Sequence, residues 1–164
     1  MRINLILFLL AVLSLGGCAH DQQAAKSFGN MTYFMNQPLF KDRATLVDGK
    51  HDEEFLNVFY DDKYVYGDFN HDGLKDAAVI IVENYGGNAS YYELAFLIND
   101  GTKLIHRASQ HLDEHAIINS VREKNGKVVV DMYVHQEGDC HAGPSKRVHH
   151  VYEYAGPQFL KGQA

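Results

Sequence analysis

The residues best placed to do chemistry lie between positions 66 and 79, which read Tyr-Gly-Asp-Phe-Asn-His-Asp-Gly-Leu-Lys-Asp-Ala-Ala-Val. Within them Asp68, Asn70, Asp72, Gly73 and Asp76 follow the D-x-N-x-D-G-x-x-D spacing of a Ca²⁺ loop. Alternate residues of a curled loop turn inward, so the side-chain oxygens of Asp68, Asn70 and Asp72 can converge. Gly73 suits the sharp turn. The carbonyl of Leu74 then faces the ion, and Asp76 closes the shell directly or through water. Phe69, His71 and Lys75 fall at outward positions. An all-oxygen set selects a hard cation over zinc or copper. The twelfth position, where a bidentate Glu completes an EF-hand, is Val79. The flanks Tyr64-Val65-Tyr66 and Ala77 to Val82 favour strands over helices. The expected cofactor is therefore a single Ca²⁺ held weakly, with a dissociation constant on the order of 10⁻⁴ to 10⁻³ M. The alternative is a metal-free turn in which the Asp and Asn side chains satisfy the loop backbone.

Two further constellations carry donors for softer metals. His111-Leu112-Asp113-Glu114-His115 matches the H-x-x-E-H order of an inverted zinc-protease motif. That chemistry needs both imidazoles on one helix face. The neighbours Leu104-Ile105 and Ile117-Ile118 read as strand, so a solvated turn is expected there instead. His135, Glu137, Asp139 and His141 alternate beside Cys140 and would line one face if extended. Gly138 and Gly143 argue for a curling loop. These two clusters define the rival reading, a zinc-dependent hydrolase. Gly86-Gly87-Asn88 lacks the helix and Lys of a phosphate loop, and no G-x-S-x-G elbow is present.

The elements that position these residues are strands. Tyr92, Leu94, Phe96 and Ile98 alternate, as do Val128, Val130, Met132 and Val134, and Val148, His150, Tyr152 and Tyr154. Turn signals separate them at Asn99-Asp100-Gly101, Asn125-Gly126 and Gly143-Pro144, the second a strong hairpin signal. Ala77 to Val82 is continuously apolar, as in a strand buried on both faces. Further strands are expected over Ala44 to Val47, Phe55 to Tyr60, Tyr64 to Asp68, Lys103 to Ala108 and Ala116 to Arg122. No stretch leaves room for helical crossovers. The fold class is all-β, antiparallel, as a meander sheet or small sandwich.

The chain begins Met1-Arg2-Ile3-Asn4 and continues with an apolar run from Leu5 to Leu13, too short to span a bilayer and of signal-peptide length. It ends in Leu15-Gly16-Gly17-Cys18, which looks like a bacterial lipobox, with small residues before the cut and a thiol to accept the lipid. The expected organisation is a signal peptide over 1–17, a flexible tether over 18–30 anchored through Cys18, and one β domain over 31–164. Ala19 after the Cys resembles the default outer-membrane sorting signal, placing the domain in the envelope, facing the periplasm. Cys140 is then the one remaining thiol.

Composition narrows the function classes. The 164 residues carry 15 Lys and Arg against 21 Asp and Glu, a formal charge of −6, which argues against nucleic-acid binding. A hydrophobic fraction of 46% excludes wholesale disorder.

The segment from Gly67 to Val79 resembles the calcium loop of FG-GAP/VCBS-type repeats, which build integrin-like β-propellers. One loop in a chain of this length implies no propeller. A wider resemblance, to small bacterial envelope lipoproteins, covers most of residues 18–164. It rests on Asn30-Met31-Thr32-Tyr33, Leu46-Val47-Asp48-Gly49, the calcium-like loop and Glu83 to Asn88 leading into Tyr91-Tyr92. It continues through Val128 to His135, Asp139-Cys140 and Val151 to Tyr154. Where that pattern often carries Cys-Cys-Pro, this chain reads Cys140-His141-Ala142-Gly143-Pro144. The resemblance implies the β fold and an envelope address, and carries no established activity with it. The expected role is structural or interactive, with the membrane contacted through the N-terminal lipid and an envelope protein or glycan as partner. A carbohydrate- or protein-binding inhibitor module working through its loops is the remaining alternative.

Overall fold

The computed structural model describes residues 26–35, 43–140 and 143–157. The expected signal peptide over 1–17, most of the expected tether with Cys18, His141 and residues 158–164 lie outside the described residues. Among the described residues ten strands follow one another: β1 (Thr32–Phe34), β2 (Arg43–Thr45), β3 (Lys50–Glu53), β4 (Leu56–Gly67), β5 (Asp76–Asn84), β6 (Tyr91–Asn99), β7 (Leu104–Glu114), β8 (Ile117–Lys124), β9 (Lys127–Val134) and β10 (Lys146–Tyr152). β3 to β7 form a five-stranded antiparallel meander in chain order, and β8 to β10 form a three-stranded one. β1 and β2 make a separate two-stranded ribbon. The all-β, antiparallel expectation therefore holds, with the meanders stacked as layers.

β5 explains the layering. Ala77, Val79 and Ile81 on one face and Ala78 and Ile80 on the other are all fully buried. A strand that is apolar on both faces needs cover on both. On the first face it joins Val58, Ala95 and Leu97 of the same sheet, and Phe28, Tyr33, Ala44 and Leu46 close over them. On the second, Leu94 and Phe96 meet Ile118, Val128, Val130 and Met132 of the three-stranded sheet. The alternating face of β9 read from sequence is the one that packs.

Several boundaries differ from the sequence reading, β7 among them, which runs to Glu114 rather than ending at Ala108. Phe55 to Tyr60 and Tyr64 to Asp68 are not two strands but one, β4, whose register against β5 shifts between Tyr60 and Tyr64. Asp61, Asp62 and Lys63 look like a turn, yet a bulge absorbs them within the strand; Asp62 takes a φ of 41° there. β1 and β3, of three and four residues, are too short to register as alternation. The packed part also starts before residue 31. Lys26–Phe28 makes a single helical turn, and Phe28 is fully buried against Tyr60, Tyr64 and Tyr66. One aromatic side chain in a polar stretch gives no periodicity, which is why the stretch reads as tether.

The ribbon is fixed to the main sheet by a buried imidazole. Phe34 N–H donates to Nδ1 of His106 at 2.9 Å, so the ring hydrogen sits on Nε2, which faces Ala108 O at 3.0 Å and Ser109 Oγ at 2.9 Å. Burial holds the His106 pKa down at about 3. In the unfolded chain this group protonates near pH 6.5. The unfolded state thus binds the extra proton between these values, and stability present above pH 6.5 is lost as pH falls toward 3. The expected slope is about 1.4 kcal/mol per pH unit from this one site. Chemical denaturation at pH 7, 5.5 and 4 measures it, and His106→Gln is expected to flatten the dependence while lowering stability at pH 7.

Candidate functional site

The Asp68–Asp76 loop joins β4 to β5 at one end of the sandwich. His71 (φ 61°) and Gly73 (φ 84°) take left-handed conformations that coil it. Asp68 accepts from the backbone N–H of Asp72 through Oδ1 at 3.1 Å and from that of Gly73 through Oδ2 at 3.0 Å. Asp72 accepts from Leu74 N–H at 2.7 Å and from the Asn70 amide at 2.8 Å, and Asn70 Oδ1 accepts from Asp72 N–H at 3.2 Å. The structure thus gathers Asp68, Asn70 and Asp72 around a single turn. Each of these carboxylate oxygens receives one donor and keeps further acceptor capacity, since a carboxylate offers about four lone-pair sites. Leu74 contributes its N–H to Asp72, and its side chain is partly exposed.

Asp76 is placed differently. It is completely buried, and its two oxygens accept from the N–H groups of Phe69 at 2.8 Å and Asn99 at 2.9 Å. It thereby ties the start of the loop to the end of β6. Phe69, read from sequence as outward, is buried against Phe96. Val79, at the twelfth position, is buried in β5. The loop also rests on the β8–β9 hairpin. Asn125 (φ 55°) and Gly126 (φ 73°) form its turn, and a Cβ at Gly126 would stand 2.6 Å from the His71 ring. Only glycine leaves room for the ring at that position.

The two rival constellations meet at the opposite end of the sandwich. His111, Asp113 and Glu114 are the last residues of β7, and with His135, Gln136 and Asp139 they line one open cleft. The H-x-x-E-H residues are therefore not on a helix, and the zinc-protease geometry is absent. Nor is the segment the expected solvated turn, because β7 runs to Glu114 before a corner at His115 (φ 52°). His111 Nδ1 lies 2.8 Å from Oε1 of Glu93, a buried carboxylate on β6. That hydrogen bond is the main reason the His111 pKa is raised. Asp113 Oδ2 accepts the backbone N–H of His135 at 2.5 Å and stands 3.3 Å from its Nδ1. The His115 and His135 rings approach to 6.4 Å between centroids.

The stretch from His135 onward is not extended. Asp139 N–H donates to Gln136 O, and the Asp139 carboxylate turns back to accept from Gln136 N–H, Ser145 N–H and the Ser145 hydroxyl. The Ser145 bond is the main influence lowering the Asp139 pKa. His135, Glu137 and Asp139 therefore share no strand face. Cys140 is exposed and forms no disulfide. Among the described residues, no three His, Cys, Asp or Glu side chains stand together as a ready-made metal cage.

Glu93 and His106 were not singled out as functional by sequence reasoning. Both sit among residues of a strand whose other face is apolar, which reads as half-solvated. The only clue was the strands' place in the middle of a run of hairpins. No protein-family model, curated protein or solved structure matches the chain. Among the described residues no helix is long and apolar enough to cross a membrane.

The Asp76 hydrogen bonds are made within the chain, so their contribution can be read without Ca²⁺. Asp76→Ala strands one buried N–H donor, of Phe69, and one part-buried, of Asn99, the buried one costing about 1–3 kcal/mol. Urea denaturation in EGTA is expected to show a loss of roughly 2–5 kcal/mol for Asp76→Ala and a much smaller one for Asp72→Ala, whose partners are solvent-exposed.

Proposed function

We propose that the protein is a lipid-anchored envelope β domain whose Asp68–Asp76 loop takes one Ca²⁺, with a structural or interaction role and no catalytic one. The observation that carries this reading is the collection of Asp68, Asn70 and Asp72 about one turn. Two carboxylates and an amide oxygen share that turn, and the loop's N–H groups orient them without exhausting their lone pairs. The donor set is all oxygen, which suits Ca²⁺ and disfavours thiophilic metals. Asp76 supports the reading as the buried strut that holds the loop's two ends.

The ion's contribution is to neutralise the crowded carboxylates. The chain's own residues do the rest. Asp76 fixes the loop to β6, and His71 seats it against Gly126, so a stiffer loop stiffens the contact between the two sheets. A ligand at ten times its dissociation constant adds about 1.4 kcal/mol of stability. Millimolar Ca²⁺ is expected to raise the melting temperature by a few degrees, and EGTA to reverse it. Asp72→Ala should remove the response. A melting curve unchanged across 0–10 mM Ca²⁺ overturns the reading.

The anchor is tested independently. Cells supplied with labelled palmitate are expected to incorporate label into the wild-type chain and not into Cys18→Ser. The variant should also leave the membrane fraction. Equal labelling of both chains, or of neither, overturns lipidation at Cys18.

A further inference from the structure

The face of the five-stranded sheet that packs on the second meander is not covered along its whole length. Ile80 and Leu94 are fully buried there. One row further from the Asp68–Asp76 loop, Val82 and Tyr92 on the same strands are only half-buried, and Phe59 beside them exposes 43% of its surface. Phe59 pairs with Val82 and Val82 with Tyr92, so the three side chains stand in one row on one face. The row continues to Lys50 on β3 and Asp113 on β7. Phe59 and Tyr92 lie two strand spacings apart, roughly 9.5 Å. In the next row out, Asp52 is the register partner of Asn57, and among the described residues neither side chain makes a hydrogen bond. Asn84 continues that row, but its amide is spent on the loop backbone at Gly86, Gly87 and Ala89. On the inner side Asp61 and Lys63 pair at 2.9 Å, and the charges of both act on the Tyr92 hydroxyl. An apolar strip with an aromatic ring at each end thus runs between two polar margins.

We propose that this strip binds an extended β-1,4-linked glycan. The C–H face of a pyranose is apolar and weakly positive, so it stacks on the negative face of an aromatic ring. In a β-1,4 chain each sugar is turned over relative to the last. Alternate rings therefore present the same face, at a spacing close to that between Phe59 and Tyr92, and the sugar between them crosses Val82. An α-1,4 chain coils and does not follow the row. Hydroxyls along the edges of the chain meet Asp52 and Asn57 on one side and the Asp61–Lys63 pair on the other, which together offer acceptors and donors. A protein is the poorer occupant, because three apolar side chains in single file fall short of the roughly 800 Å² per partner that a stable interface buries. An anionic lipid surface is poorer too, because the bordering acids Asp52, Asp61 and Asp113 outnumber Lys50 and Lys63. The strip is separate from the Asp68–Asp76 loop and from Cys18, so it stands whether or not either carries its proposed group.

The test uses the protein as expressed, purified in a detergent without a sugar head group and titrated calorimetrically with chitotetraose, cellotetraose and maltotetraose. Saturable binding of a β-1,4 tetramer is expected, and none of the α-1,4 maltotetraose. A preference for chitotetraose assigns the strip to N-acetylated glycans, and equal binding of chitotetraose and cellotetraose to β-1,4 glycans at large. Phe59→Ala, at an exposed position, should weaken binding about tenfold, and Phe59→Trp should retain it. Tyr92→Leu keeps the apolar packing and should weaken binding by a similar factor; if it does not fold, Phe59→Ala decides alone. Val151→Ala, exposed on the other meander, and Asp72→Ala should bind as the wild type does. Thermal melts establish that each variant is folded. Failure of both β-1,4 tetramers to bind, equal binding of maltotetraose, wild-type affinity in folded Phe59→Ala, or equal weakening by Val151→Ala overturns the proposal. A protein partner captured through Phe59 without any saccharide binding overturns it as well.

Discussion

The burial of β5 on both of its faces is the constraint from which the rest of the molecule follows. A strand reading Ala-Ala-Val-Ile-Ile cannot lie at a surface, and one sheet can cover neither of its faces. The three-stranded meander closes one side, and the β1–β2 ribbon with Phe28 closes the other. Both connections that matter chemically are then forced to the ends of the sandwich. The β4–β5 loop opens at one end because β5 must re-enter the core at Asp76. The β7–β8 corner and the β9–β10 loop come together at the other because the second meander must fold back over the first.

Much of this was legible in the chain. Alternation located the packed faces of β6 and β9, the continuous apolar run identified the central strand, and Asn125-Gly126 marked the hairpin. The loop from Asp68 to Asp76 was legible as a unit because its spacing carries the geometry. What was not legible depended on partners distant in sequence. Asp76 reads as the acid that closes the calcium shell, and its bond to Asn99 at the end of β6 leaves no local mark. His106 reads as a polar residue on an exposed face, and only the ribbon arriving from residue 34 buries it. Likewise the two histidine clusters looked like unrelated fragments until the fold set them across one cleft. Local patterns report period and turn chemistry, whereas tertiary pairing of polar groups leaves no local mark.

Electrostatics divides the molecule in the same way as topology. At the loop end, carboxylates sit close together with only backbone and amide donors for partners. At the cleft end, Glu93 and Asp113 each face an imidazole, and Asp139 is held by Gln136 and Ser145. On the outer face of the second meander, Arg147 grips Asp131 through two hydrogen bonds, and this holds the Asp131 pKa well below the usual carboxylate range.

Phe28 sets a geometric limit on the proposed anchor. Ten residues separate it from Cys18, and a chain of that length reaches no more than about 35 Å when fully stretched. If the thiol carries the lipid, the aromatic plug formed with Tyr60, Tyr64 and Tyr66 stays within that radius of the bilayer surface. The domain would then act as a short-leashed body, able to meet only partners that are themselves held near the same leaflet.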